Sequence, residues 1–132
     1  MAKKRPTPKK SGKSRVGEPP KVYSPPRADW RDALRDFAGR VREAYGARLV
    51  RVILYGSRAR GDAERDSDVD VLVVLDRYDD FWTEMDRIGT IAGEILLDHG
   101  ILLSAMPAST KEVEESEKSI FRNARREGVV IP

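Results

Sequence analysis

The sequence predicts an α/β (α+β) domain in which helices cover a small mixed three-stranded sheet. Three observations carry this reading. Across residues 29–132, apolar residues alternate between helical spacing and β-branched runs. The order is helix, strand, polar segment with room for a short helix, strand, helix, strand, helix. Six of the eight prolines are confined to residues 1–28, which leaves the remainder free of interruption apart from Pro107 and the final Pro132. The full length of 132 residues suits one core and not two.

The first 28 residues stand apart in charge as well. Lys3, Lys4, Arg5, Lys9, Lys10, Lys13, Arg15, Lys21 and Arg27 face a single acid, Glu18, giving +8. Val16, Val22 and Tyr23 are too few to offset the entropy of ordering, so this segment reads as a disordered basic Pro/Lys-rich tail. A basic tail can hold nucleic acid or an acidic partner by charge, and it is the only segment suited to nucleic acid. It lacks the interleaved aromatic residues that stack bases, which favours a solvated tail without a dedicated partner. Residues 29–132 carry 16 basic and 21 acidic residues, or −5, so the overall +3 and the pI near 9.3 belong to the tail.

Composition excludes several classes. With no cysteine, disulfide scaffolds and Cys-based zinc or redox sites are ruled out. The longest apolar runs, such as Val71–Leu75, fall far short of the ~20 residues of a membrane span. The basic N-terminus lacks the apolar stretch of a secretory signal. The expectation is a cytoplasmic protein with no membrane segment.

The elements follow in order. Trp30, Leu34, Phe37, Val41 and Tyr45 recur at helical spacing, and Gly46 supplies a C-terminal cap. Leu49–Tyr55 is a β-branched strand ending at Gly56, and Val69–Leu75 is a second. Residues 81–98 form a helix with Phe81, Met85, Ile88, Ile91, Ile95 and Leu96 on its apolar face. Ile101–Ala105 reads as a third strand closed by Pro107. Ser109 and Glu112 match a capping box, from which one charged helix runs to Glu127 with Val113, Ile120 and Ala124 inward. Gly128 ends it, and Val129–Ile131 packs back onto the domain. The acidic run from Glu112 to Glu117 reads as a solvated face, and His99, the one histidine, as a helix-end cap or a solvated side chain.

The chemistry lies between the first two strands. Asp68 and Asp70 are two apart, so on a strand they project from one face, where two carboxylates repel. A divalent cation relieves that repulsion, and Mg²⁺ takes one or two carboxylates together with phosphate oxygens and water. Gly56 allows close approach to the backbone, and Ser57 stands where a short helix can begin and offer free N–H groups to phosphate. If the two strands pair antiparallel, Gly56-Ser57 meets Asp68 and Asp70 at one end of the sheet. Taken singly, Gly-Ser is a turn, Asp-x-Asp is often solvated, and Arg58 and Arg60 are surface residues. No Gly-Lys-Ser/Thr follows, so this is not a P-loop.

The stretch Leu54-Tyr55-Gly56-Ser57-Arg58-Ala59-Arg60-Gly61, continued by Ser67-Asp68-Val69-Asp70, resembles the DNA polymerase β-like nucleotidyltransferase superfamily. Within it, the likeness is to the minimal nucleotidyltransferases (MNT type) of bacteria and archaea. The resemblance implies a nucleotidyltransferase fold over residues 29–132. It implies that Gly56 and Ser57 meet the phosphates of ATP or another NTP, with Arg58 or Arg60 balancing charge. It also implies that Asp68 and Asp70 are catalytic and hold Mg²⁺. The reaction would join a nucleotidyl group, often AMP, to an acceptor hydroxyl. Family members often act on a helical HEPN-type partner in toxin–antitoxin pairs, and a chain this small has no room for an acceptor domain of its own. The family commonly adds a third acid on the third strand. Ile101–Ala105 contains none, with Asp98 just before it and Glu94 on the preceding helix. That departure keeps open an alternative, a weak or inactive module that neutralises a partner by binding it.

Overall fold

The computed structural model describes residues 29–63 and 68–132. The basic tail of residues 1–28 and Ser67 lie outside the described residues.

Helix α1 (Trp30–Tyr45) starts where the Asp29 carboxylate accepts the Arg31 N–H at 2.9 Å, and it stops at Gly46, whose φ of 56° few side chains tolerate. A 3₁₀ turn (Gly46–Arg48) leads into β1 (Leu49–Tyr55). One helical turn, α2 (Ser57–Arg60), precedes β2 (Val69–Leu75). Helix α3 (Phe81–His99) is capped by Asp80 and closed by Gly100 in the left-handed region. Strand β3 (Leu103–Ser109), helices α4 (Thr110–Glu115) and α5 (Ser119–Glu127), and strand β4 (Val129–Ile131) complete the chain.

The sheet has the order β3-β2-β1-β4. The β1 strand runs antiparallel to both β2 and β4, while β2 and β3 are parallel, as expected of strands joined through a crossover helix. The α/β class and the mixed sheet hold; among the described residues the sheet has four strands and not three. Val129–Ile131 does more than pack back: it pairs with β1, Leu54 opposite Val129 and Val52 opposite Ile131.

Alternation on β2 sends Val69, Val71, Val73 and Leu75 to one face, where they meet α1 and α3 through Phe37, Val41, Ile88 and Ile95. Leu72 and Val74 point to the other face and pack with Val113, Phe121 and Ala124 of α4 and α5. A strand buried on both faces explains its continuous apolar run. Each fully buried Leu or Ile contributes roughly 1.5–3 kcal/mol relative to exposure.

Two elements differ from the sequence reading. Strand β3 begins at Leu103 and not at Ile101, and it extends over Pro107, which is fully buried opposite Val73. As an edge strand it tolerates proline wherever the missing N–H would face away from the ladder. The last helix is broken: the Ser116 hydroxyl accepts the Lys118 N–H at 3.2 Å, a local bond that competes with helix continuation. The predicted capping box is present, with Glu112 N–H to Ser109 Oγ at 3.1 Å and Ser109 N–H to Glu112 Oε1 at 2.9 Å.

Candidate functional site

The antiparallel register of β1 and β2 sets Tyr55 opposite Asp70, so the strand that ends at Gly56 lies beside the strand that opens with the acids. Gly56 adopts φ 77°, ψ −158°, a combination that is essentially restricted to glycine. A Cβ on Gly56 would lie 2.4 Å from Asp70 Oδ2 and 3.3 Å from its Cγ. Glycine is therefore demanded by both backbone conformation and space. After it, Gly56 C=O accepts the N–H groups of Ala59 and Arg60 at 3.0 and 3.1 Å, closing the single turn of α2 that Ser57 begins.

Asp68 stands exposed one residue ahead of β2, and Asp70 is half-buried within it. By strand alternation Asp70 shares the face of Leu72 and Val74, the α4/α5 side, at the end of the sheet where β2 begins. Burial pushes the Asp70 carboxyl up, the charge of Asp68 adds to this, and Arg60 pulls against both. The Tyr55 hydroxyl, pushed up to about 12 by burial and then by the Asp70 charge, remains a neutral donor at ordinary pH.

The two arginines separate. Arg58 places its guanidinium 5.2 Å from the ring centroid of Trp30, at the start of α1. Arg60 stays on the Asp70 side, held by Asp62 (Nε to Oδ2, 3.1 Å) and by Glu127 (Nη1 to Oε2, 2.9 Å). Glu127 also accepts the Gly56 N–H on the same oxygen at 3.0 Å. Sequence reasoning did not single out Glu127, because only the pairing of β4 with β1 brings the end of α5 to this turn.

The remaining candidates lie elsewhere. Arg40 bridges Asp36, Asp98 and Glu94, with 2.6 Å to Asp98 Oδ2 and 3.4 Å to Glu94 Oε1. His99 Nε2 stands 2.8 Å from Asp36 Oδ2, so the histidine joins this network and neither caps its helix nor stands solvated. Hydrogen bonds from Arg40 and then His99 hold the Asp36 carboxyl below its ordinary range. All of these belong to α1 and α3, on the sheet face opposite Asp70. On β3 the residue in register with Asp70 is Ser104, which is exposed. A cavity of about 390 Å³ lined by Arg48, Asp76, Tyr78, Asp80 and Glu84 sits at the other end of the sheet, where Leu75 pairs with Leu49.

The model of the nucleotidyltransferase domain matches residues 34–126, which spans α1 to α5 and encloses Gly56, Ser57, Asp68 and Asp70. The chain belongs to the nucleotidyltransferase domain family. Over 100 residues it is 30% identical to "Putative protein adenylyltransferase MJ0604" of Methanocaldococcus jannaschii, covering 75% of this chain and 94% of the relative. Over 73 residues it is 36% identical to "Putative protein adenylyltransferase MJ0141" of the same organism, covering 55% and 73%. A putative nucleotidyltransferase from Sulfolobus solfataricus superposes with TM-score 0.52 at 18% identity, over 75% of this chain and 76% of that one. A toxin–antitoxin structure with AMP-PNP superposes with TM-score 0.50 at 14% identity, over 73% and 70%. These two likenesses establish the fold. The protein is thus a minimal nucleotidyltransferase.

The donor set suits Mg²⁺. Asp68 and Asp70 offer hard carboxylate oxygens on a half-open surface, and Mg²⁺ sites are commonly completed by substrate phosphates and water. Among the described residues, no group of three or more His, Asp or Glu side chains forms an all-protein metal cage. No helix among them is long and apolar enough to cross a membrane.

Proposed function

We propose that this nucleotidyltransferase moves AMP from ATP, with Mg²⁺, to a hydroxyl on a partner protein. One observation carries the assignment of residues: Gly56 lies so close to Asp70 that a Cβ would sit 2.4 Å from the carboxylate. A phosphate drawn to the Gly56-Ser57 turn would therefore be adjacent to the acids. The acceptor oxygen attacks the α-phosphorus, the new O–P bond forms as the bond to the β-phosphate oxygen breaks, and pyrophosphate leaves. The hydroxyl proton passes to water or to a carboxylate. Asp68 and Asp70 are the residues that would hold Mg²⁺. When bound, the ion neutralises the triphosphate and favours ionisation of the attacking hydroxyl. The bare Cα of Gly56 admits the phosphates, Ser57 supplies a hydroxyl, and Arg60 contributes positive charge beside Asp70. Arg58, on the same turn, reaches instead toward Trp30 at the start of α1, on the sheet face away from Asp70.

A protein acceptor is supported by relatives whose names say protein adenylyltransferase and by a neighbour described as a toxin–antitoxin pair. The family resemblance extends this reading to a helical HEPN-type toxin as the partner, with this chain as its antitoxin. A second reading, neutralisation by binding without chemistry, is favoured by Ser104, a hydroxyl where an acid in register with Asp70 would complete the set.

Labelled ATP, Mg²⁺ and the partner separate the two. Wild type should label the partner, and Asp68→Ala and Asp70→Ala should not. Label transfer that persists in both variants would remove the acids from the reaction. Equal protection of cells by wild type and Asp68→Ala, with no label transferred, would establish the binding module instead.

A further inference from the structure

The C-terminal strand has a role beyond completing the sheet. Leu54 pairs with Val129 in the antiparallel ladder, so continuing the register by two residues sets Glu127 opposite Gly56. The corner between α5 and β4 leaves no freedom to shift this. Gly128 donates its N–H to Ala124 C=O at 2.9 Å, and a Cβ there would lie 2.3 Å from that oxygen and 2.7 Å from Ile53 Cγ2. The Glu127 side chain is only 12% exposed. A carboxylate this sheltered needs donors, and it takes two onto Oε2: the Gly56 N–H at 3.0 Å and Arg60 Nη1 at 2.9 Å. Gly56 is in a sparsely populated conformation, which persists only when its surroundings over-determine it. Glu127 is the side chain that fixes its amide.

We propose that Glu127 is a positioning residue for the nucleotide site, holding the Gly56-Ser57 turn and Arg60 in place from the end of α5. The inference rests on the transferase reading above in one respect: the turn it holds is the one proposed to receive the phosphates. Glu127 itself touches neither nucleotide nor acceptor. It acts through the Gly56 amide and the Arg60 guanidinium.

The test measures the turn and the nucleotide separately, on the full chain. Amide hydrogen exchange followed by NMR reports the Gly56 N–H without any substrate. Glu127→Ala should accelerate that amide's exchange at least about ten-fold, the size of one lost hydrogen bond to a charged acceptor. Calorimetric ATP·Mg²⁺ affinity should weaken by a similar factor. Glu127→Gln keeps an acceptor oxygen at the same reach, and should restore Gly56 protection and bring affinity to within about three-fold of wild type. A purely structural role would lower the melting temperature of both variants and leave ATP affinity unchanged at a temperature where each is folded. If the alanine variant does not fold, Glu127→Asp, shorter by one methylene, carries the same two readouts. Gly56 exchange as slow in the shortened variant as in wild type would overturn the proposal, as would unchanged ATP affinity beside a wild type that binds. A wild type that bound no ATP would defeat the transferase reading, and Gly56 exchange would still decide whether Glu127 holds the turn.

Discussion

Replacing Gly56 with alanine tests the site's geometry directly. Two costs arise at this position. The backbone conformation, φ 77° with ψ −158°, is strained for any side chain by ~1–3 kcal/mol. The new Cβ would also meet Asp70 Oδ2 at 2.4 Å and Cγ at 3.3 Å, closer than atoms approach without displacement. Asp70 is short and its Cβ is itself 3.5 Å away, so relief requires the carboxylate to leave its position. Gly46 supplies the control. Its φ of 56° and ψ of −129° are also those of glycine, but nothing lies within 4 Å of a Cβ there. Gly46→Ala should therefore show the backbone cost alone, about 2 kcal/mol, or a melting temperature roughly 10 °C lower for a domain of this size. Gly56→Ala should lose about 3–4 kcal/mol and roughly 15–20 °C. Thermal and urea unfolding give these values, and calorimetry with ATP·Mg²⁺ gives the functional consequence. Affinity should fall more than about ten-fold in Gly56→Ala, because the acid has moved, and hold in Gly46→Ala. Equal melting temperatures for the two variants with wild-type ATP affinity in Gly56→Ala would refute the claim that Asp70 is what excludes a side chain.

Asp70→Asn removes a carboxylate that burial and the neighbouring Asp68 disfavour, so it should raise stability at neutral pH while abolishing Mg²⁺-dependent ATP binding; urea midpoints and calorimetry check the two halves. Because the Asp70 value is raised on folding, the native state holds more protons than the unfolded one just above the ordinary 3.8. Its contribution to stability therefore falls as pH rises through that window, while Mn²⁺ affinity, which needs the ionised form, should climb; a Mn²⁺ titration series between about pH 4 and pH 7 reads this. At the other end of the sheet, Glu84 is 5% exposed and accepts the Tyr45 hydroxyl at 2.7 Å and Arg48 at 3.0 Å. Burial raises its carboxyl, but Tyr45 and Arg48 outweigh that and leave it below the ordinary 4.5. Glu84→Ala should cost about 2 kcal/mol, less than a fully buried pair because Arg48 is partly solvated, with ATP affinity unchanged. The loss should be full above pH 4.5 and vanish as pH falls through the lowered native value, which urea unfolding at several pH values would reveal.

Residues whose role depends on neighbours in sequence were legible before the fold was known. The stripe from Trp30 to Tyr45, the cap at Gly46 and the Ser109–Glu112 box all follow from local geometry, and the structure holds each of them. The contact of Gly56 with Asp70 was anticipated through one assumption, that the two strands pair antiparallel, and the register makes that pairing. Legibility ended where the deciding partner is remote in sequence. Pro107 looked like a stop because its tolerance depends on β3 being an edge. Glu84 sits on the buried face of an otherwise apolar stripe because Tyr45, 39 residues earlier, supplies its hydrogen bond. Asp98 and Glu94 look available as a third acid until Arg40 is seen to engage both.

The α/β class, the Gly-Ser turn and the pair of acids could be read from the chain alone, because helical period, strand alternation and the conformational freedom of glycine act over a few residues. Long-range pairing alone made Val129–Ile131 a fourth strand and closed Glu127 on Gly56. It also decided that Arg60 and not Arg58 would flank Asp70. Three apolar residues cannot form a strand alone, since their backbone groups need a ladder to join, and that ladder is β1, more than 70 residues away in the chain. The same pairing that satisfies those groups carries a carboxylate to the turn where the nucleotide is expected.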